Sequence, residues 1–151
     1  MSFYFYLTKL IYEVNIFKKI GFLVNVLIVE DNALIARIQQ GFMKQVIPEN
    51  ARIDIAYDCQ IAKELTQKNE YDIILVDFGL PDGHGLDLTI YLRGQGIKSL
   101  IVAVSGNLDE KTPEQRLAAG LDWGYKKPLM EAQAKDIIMR YKEKLCKKSN
   151  S

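Results

Sequence analysis

The chain has 151 residues, 48% hydrophobic and 26% charged, a composition that suits a globular protein with one ordinary core and leaves no room for a second. Twenty basic residues against nineteen acidic ones give a net charge of +1, which removes any global electrostatic case for binding nucleic acid. Cys59 and Cys146 lie far apart and match no metal-ligand or redox spacing, as expected of two free thiols in a reducing, cytoplasmic setting.

Residues 1–24 differ from the rest of the chain, holding four of the six Phe and three of the eight Tyr. Lys9, Glu13, Lys18 and Lys19 interrupt every window of the roughly twenty residues a membrane span needs, so no span is predicted. No basic start and no small-residue cleavage site marks a signal peptide. We read this stretch as an aromatic-rich N-terminal extension of unknown role.

From residue 25 short Ile/Val-rich runs alternate with longer segments whose apolar residues recur every three or four. Val26-Leu27-Ile28-Val29 is the first predicted strand and stops at Glu30-Asp31. Asn32 can cap a helix with an inner face of Leu34, Ile35, Ile38, Phe42 and Val46, ending near Pro48. A second strand covers Arg52 to Ala56, and a helix runs from about Gln60 to Lys68. The third strand, Asp72 to Asp77, leads into the turn-rich Phe78-Gly79-Leu80-Pro81-Asp82-Gly83-His84-Gly85. Leu86, Leu88, Ile90 and Leu92 lie in the next helix, closed by Gly94 and Gly96; the fourth strand is Leu100 to Val104, stopping at Ser105. Thr112, Pro113 and Gln115 make a capping box for a short helix that Gly120 ends. A fifth strand over about Trp123 to Lys126 carries Gly124 in its middle. The last helix has Ala134, Ile137, Ile138, Tyr141 and Leu145 at core spacing, before a basic, frayed tail at residues 146–151.

This order predicts an α/β fold of five βα units, a doubly wound, five-stranded parallel sheet over residues 25–145. The uninterrupted apolar first, third and fourth strands are expected to be covered on both faces. In such sheets ligands bind at the carboxyl ends of the strands. That edge should gather Glu30, Asp31 and Asp77, with Ser105 and Lys127 from the next strands. Three carboxylates held together repel one another, and a hard divalent ion resolves the conflict; oxygen-only ligands favour Mg²⁺. A phosphoryl group arriving there meets a carboxylate nucleophile, a hydroxyl and an amine able to balance its charge. Taken singly each residue has a plain structural role: Asp31 as a helix cap, Ser105 bonding a nearby amide, Lys127 in solvent. Their joint placement carries the functional reading.

The text Val26-Leu27-Ile28-Val29-Glu30-Asp31-Asn32, Val76-Asp77-Phe78-Gly79-Leu80-Pro81-Asp82-Gly83-His84-Gly85, Val104-Ser105-Gly106, Ala119-Gly120 and Lys127-Pro128-Leu129 resembles response-regulator receiver domains of two-component signalling, over about residues 25–145. The resemblance implies a flavodoxin-like (βα)5 fold with Asp77 as phosphoacceptor, Glu30 and Asp31 as the metal-binding acidic pair, and the Gly79 carbonyl as a backbone metal ligand. It implies Ser105 as the switch hydroxyl, Lys127 as the partner of the phosphoryl group, and a cis Lys127-Pro128 peptide. It further implies a signalling protein that catalyses its own phosphorylation and dephosphorylation and is not a turnover enzyme. The wording Gly79-Leu80-Pro81-Asp82 and Lys127-Pro128-Leu129 is similar to receivers of hybrid kinases and phosphorelays, which implies a histidine kinase or phosphotransfer domain as partner. With only two dozen residues after Lys127, output is expected through a separate downstream protein.

Two departures stand out. Where the family carries an aromatic switch residue three positions before the lysine, this chain has Gly124 between Trp123 and Tyr125. Either a neighbouring ring takes over or the signal leaves by the helix after Ser105 without one. His84 replaces a common acidic residue and is expected to be solvated. The alternatives are a phosphorelay intermediate that passes phosphate on to a phosphotransfer domain, an aspartate-nucleophile phosphatase of the haloacid dehalogenase kind, which needs an Asp where this chain has Gly79, and an unphosphorylated interaction module that keeps only the fold.

Overall fold

A computed structural model describes Phe3, Tyr4 and residues 23–150. The rest of the expected N-terminal extension, residues 1–24, lies outside the described residues; Leu23 is exposed, whereas Val24, the last residue of the extension, is wholly buried in the core. Five strands form one parallel sheet: β1 (Val26–Val29), β2 (Ile53–Ala56), β3 (Ile73–Val76), β4 (Leu100–Ser105) and β5 (Trp123–Lys126), in the spatial order β2-β1-β3-β4-β5. The helices are α1 (Ala33–Val46), α2 (Cys59–Lys68), α3 (Gly85–Gly94), α4 (Pro113–Ala119) and α5 (Glu131–Ser149). A two-residue ribbon pairs Gly79–Leu80 with Gly83–His84, and a 3-10 turn spans Leu108–Glu110.

Successive residues of a strand point to opposite faces, and β1, β3 and β4 as far as Val104 are apolar at every step because both faces are covered. Val26, Ile28, Ile73, Leu75, Val102 and Val104 pack with Met43 and Val46 of α1 and Ile137, Ile138 and Tyr141 of α5. The alternate set, Leu27, Val29, Ile74, Val76, Ile101 and Ala103, packs with Ala62 of α2, Leu88 and Leu92 of α3 and Ala119 of α4. The sheet is therefore doubly wound, and its carboxyl edge stays open for a site.

Two expectations need correction. The buried stripe of α1 is Ala36, Gln39, Met43 and Val46, whereas Leu34 is 69% and Ile38 45% exposed. The helix begins at Ala33 under the Asn32 cap, whose side chain accepts from Leu34 N and Ile35 N; that phase turns the small Ala36 inward and the larger Leu34 outward. The basic tail is also helical, since α5 continues to Ser149. The Thr112 capping box and the left-handed Gly120 (φ +101°) close α4 as expected.

Candidate functional site

The site is assembled from four strand ends. Beyond β1, Glu30 turns inward and is buried while Asp31 faces solvent; Asn32 N donates to Glu30 Oε1 (3.1 Å), so capping α1 and orienting Glu30 are one local arrangement. Beyond β3, Asp77 N donates to Val29 O (3.0 Å), extending the β1–β3 ladder by one rung and setting the two acidic segments side by side. The next loop is held close from both ends. Gly85 N donates to Phe78 O (2.9 Å), and a Cβ at Gly85 would stand 2.0 Å from Asp77 O, so only glycine lets α3 start against the Asp77 backbone. Asp82 accepts from Cys59 N (2.7 Å) and Gln60 N (2.9 Å), tying the ribbon that contains Gly79 to the start of α2.

Oxygen atoms of Glu30, Asp31 and Asp77 lie within 4.8 Å of one another. Lys127 follows β5 directly, its N–H donating to Ser105 O (3.2 Å) and its peptide bond to Pro128 cis. Its Nζ stands 2.7 Å from Asp77 Oδ2 and 2.5 Å from Glu30 Oε2. Burial, with the like charge of Asp77 as a lesser cause, lifts the Glu30 carboxyl above its ordinary range although Lys127 and the Asn32 amide oppose the shift. Burial works against the Lys127 charge, but hydrogen bonds to Asp77 and Glu30 outweigh it and hold that amine above its ordinary value. One amine thus serves two buried carboxylates, and the exposed Asp31 beside them adds further negative charge. The donors are all hard oxygens, the charge is in acidic excess and the cluster opens to solvent through Asp31, so these residues fit a Mg²⁺ ion.

Ser105 ends β4 buried, and its Oγ accepts from Asn107 N (3.2 Å). The structure therefore brings Glu30, Asp31, Asp77 and Lys127 into one cluster and leaves Ser105 beside it, engaged with its own turn.

The receiver profile for response regulators matches residues 26–139 of this chain. The chain belongs to the response regulator receiver domain family. It is 31% identical over 121 residues to part of the autoinducer 2 sensor kinase/phosphatase LuxQ of Vibrio harveyi, covering 79% of this chain and 14% of that protein. A second relative, stress response regulator protein 1 of Candida albicans, is 29% identical over 128 residues, covering 79% of this chain and 45% of the relative. The receiver thus spans less than half the length of either. Among solved structures, a CheY-like receiver domain from Methylobacillus flagellatus superposes with a TM-score of 0.71 at 26% identity, covering 79% of this chain and 98% of that one. Receiver domains are signalling modules rather than turnover enzymes, and among the described residues no helix is long and apolar enough to cross a membrane.

Several features of this receiver were beyond sequence reasoning. His84 is not a solvated loop residue: its Nδ1 accepts from Leu86 N (3.0 Å) to cap α3, and its ring lies 4.9 Å from that of Phe78. Tyr125 donates to Asp136 of α5, and Trp123 lies under the Arg140 guanidinium of α5 at 3.3 Å, while its exposed side also borders the groove beside Gly124. The space beside Gly124 is filled by Leu108 and Arg116. An apolar residue in the otherwise polar Asn107-Leu108-Asp109 turn was the only available signal.

Proposed function

We propose that this receiver accepts a phosphoryl group from phosphohistidine onto Asp77, with Mg²⁺ held by Glu30, Asp31, Asp77 and the Gly79 carbonyl, and signals through protein–protein contacts. The observation that carries this reading is the Lys127 Nζ shared between Asp77 (2.7 Å) and Glu30 (2.5 Å), beside a third carboxylate and at the open edge of the sheet. Asp77, oriented by Lys127, attacks phosphorus through a carboxylate oxygen. The P–N bond of the donor breaks, its electron pair leaves with the imidazole, which takes up a proton from water, and an acyl phosphate remains on Asp77. Bound Mg²⁺ supplies positive charge to the phosphoryl oxygens. Lys127 exchanges its carboxylate contact for a phosphoryl oxygen, and the Ser105 hydroxyl donates to another.

The donor is a histidine kinase or a phosphotransfer domain, and a separate downstream protein reads the result. Support for such a partner comes from the exposed Leu34 and Ile38 on α1 and the exposed Met130 three residues after Lys127, an apolar rim next to a charged centre. We read the protein as cytoplasmic, the compartment in which a histidine kinase donor meets ATP. The reading is tested by intact-protein mass after incubation with Mg²⁺ and acetyl phosphate. A single base-labile phosphate adduct is expected on wild type and absent from Asp77→Asn and from chelated samples. An adduct that persists in Asp77→Asn overturns the assignment, and absence of both adduct and Mg²⁺ binding in wild type turns the reading to an unphosphorylated module.

A further inference from the structure

Gly124 lies in mid-strand, and the space a side chain would need there is already filled. A Cβ at that position would meet Leu108 Cδ1 at 2.8 Å and Arg116 Nη1 at 3.1 Å. Leu108 comes from the 3-10 turn after β4 and is buried while its neighbours Asp109 and Glu110 are exposed. The turn is tied upstream, where Asn107 N donates to Ser105 Oγ (3.2 Å); downstream, Glu110 Oε2 lies near Nε2 of His84, at 3.7 Å, in the loop that follows Asp77. On the solvent side of Gly124 lies a groove of about 330 Å³ bounded by Pro113, Arg116, Leu117, Leu121, Trp123 and Gly124 itself. Leu117 and Trp123 are exposed along it.

We propose that Leu108 is a positioning residue that links Ser105 to the α4–β5 surface, seated on Gly124 while Ser105 bonds the Asn107 amide. When the Ser105 hydroxyl turns toward a phosphoryl group on Asp77, it draws Asn107 with it and withdraws Leu108 from its seat. Movement of a leucine carried by the turn replaces rotation of a ring carried by the strand. Glycine at 124 is what makes the seat, because any side chain there would contend with Leu108 for the same volume. The inference rests on Asp77 as the phosphoacceptor, and its test must separate the two.

Trp123 is the only tryptophan of the chain, precedes Gly124 in β5 and borders the same groove, so its emission reports on a change at that surface. Wild type, Leu108→Ala and Gly124→Ala are compared before and after Mg²⁺ with acetyl phosphate, and with Mg²⁺ and beryllium fluoride as a stable phosphoryl stand-in, with phosphoryl occupancy taken from intact mass. Wild type is expected to gain phosphate and shift its Trp123 emission. Leu108→Ala should gain the same phosphate with the shift lost, and Gly124→Ala should show the shifted emission before any donor is added. The double variant Leu108→Ala/Gly124→Ala should lose less stability than the sum of the single losses, since removing the leucine removes the contention; if Gly124→Ala alone folds poorly, the double variant is expected to regain folding, and failure to do so counts against the seat. Phosphorylated wild type with unchanged emission overturns the proposal, as does a full shift in Leu108→Ala at equal occupancy. If wild type neither gains phosphate nor responds to beryllium fluoride, the Asp77 assignment fails first and takes this one with it.

Discussion

The two ends of the sheet use the same side chains to opposite purposes. At the amino end Asp72 accepts from Asn25 N (2.8 Å) through one oxygen and from the Tyr141 hydroxyl (2.9 Å) through the other. Asp122 there accepts from Ile101 N (2.8 Å) and Arg93 Nη2 (2.9 Å), while Arg93 also donates to the carbonyls of Gly120, Ile97 and Ser99. Each acid at that end has donors of its own. At the carboxyl end two buried carboxylates share one amine and a third stands beside them. A carboxylate with donors of its own is a fastening; an under-compensated buried cluster is a stored demand for a cation, kept at some cost to stability.

The largest effect is expected where the carboxyl end is closed by backbone alone. Gly85→Ala places a Cβ 2.0 Å from Asp77 O and 2.8 Å from Asp77 C, atoms fixed by the ladder, so α3 must shift. We expect a loss of about 3 kcal/mol in urea denaturation and loss of phosphorylation with it. Stability within about 0.5 kcal/mol of wild type would show that the loop yields freely and is not what positions Asp77.

Next in size is the same carboxylate-to-amide change made at each end. Asp72→Asn gives up one acceptor where two donors converge and should cost about 1–3 kcal/mol. Asp77→Asn removes a like charge from beside Glu30 and leaves Lys127 paired, so stability should hold or rise by about 1 kcal/mol while phosphate uptake vanishes. Denaturant melts of the two variants side by side decide the matter. Losses of the same sign and size would dissolve the distinction between fastening and demand.

Much of the carboxyl end was legible because its residues are set by chain order: an apolar run, then an acid, then glycines that free the backbone. Glu30, Asp31, Asp77 and Lys127 need only the five-strand topology to be brought together. What escaped sequence reasoning depends on distance or phase. The Asp72–Tyr141 bond joins residues 69 apart and carries no local pattern. The phase of α1 was misjudged because Leu34 and Ile38 outweigh Ala36 and Gln39 on any hydrophobic count, whereas the buried positions are decided by where the Asn32 cap starts the helix. Gly124 looked like a missing ring; its meaning lay in Leu108, sixteen residues earlier and in a turn.

The smallest expected effect is the dependence on pH. Burial lifts the Glu30 carboxyl above its ordinary 4.5. As pH rises past that value the unfolded chain releases its proton first, the folded chain still holds it, and stability falls until the raised folded value is passed. The Glu30 contribution is thus fully present below 4.5 and lost above it. Asp54 on β2 runs the other way: burial opposes its charge, but hydrogen bonds from Arg52 (2.7 Å) and the Tyr71 hydroxyl (2.5 Å) prevail and hold it below its ordinary 3.8. Its contribution is present above 3.8 and lost as pH falls through the lower folded value. Urea melts of wild type across this range should therefore show a decline in stability above pH 4.5 that Glu30→Gln flattens, with the acid-side loss left unchanged. Added Mg²⁺ should offset the same decline in wild type, since it binds the ionised cluster. A decline that survives in Glu30→Gln would place the strained charge on another group and remove Glu30 from the account of why this edge calls for a cation.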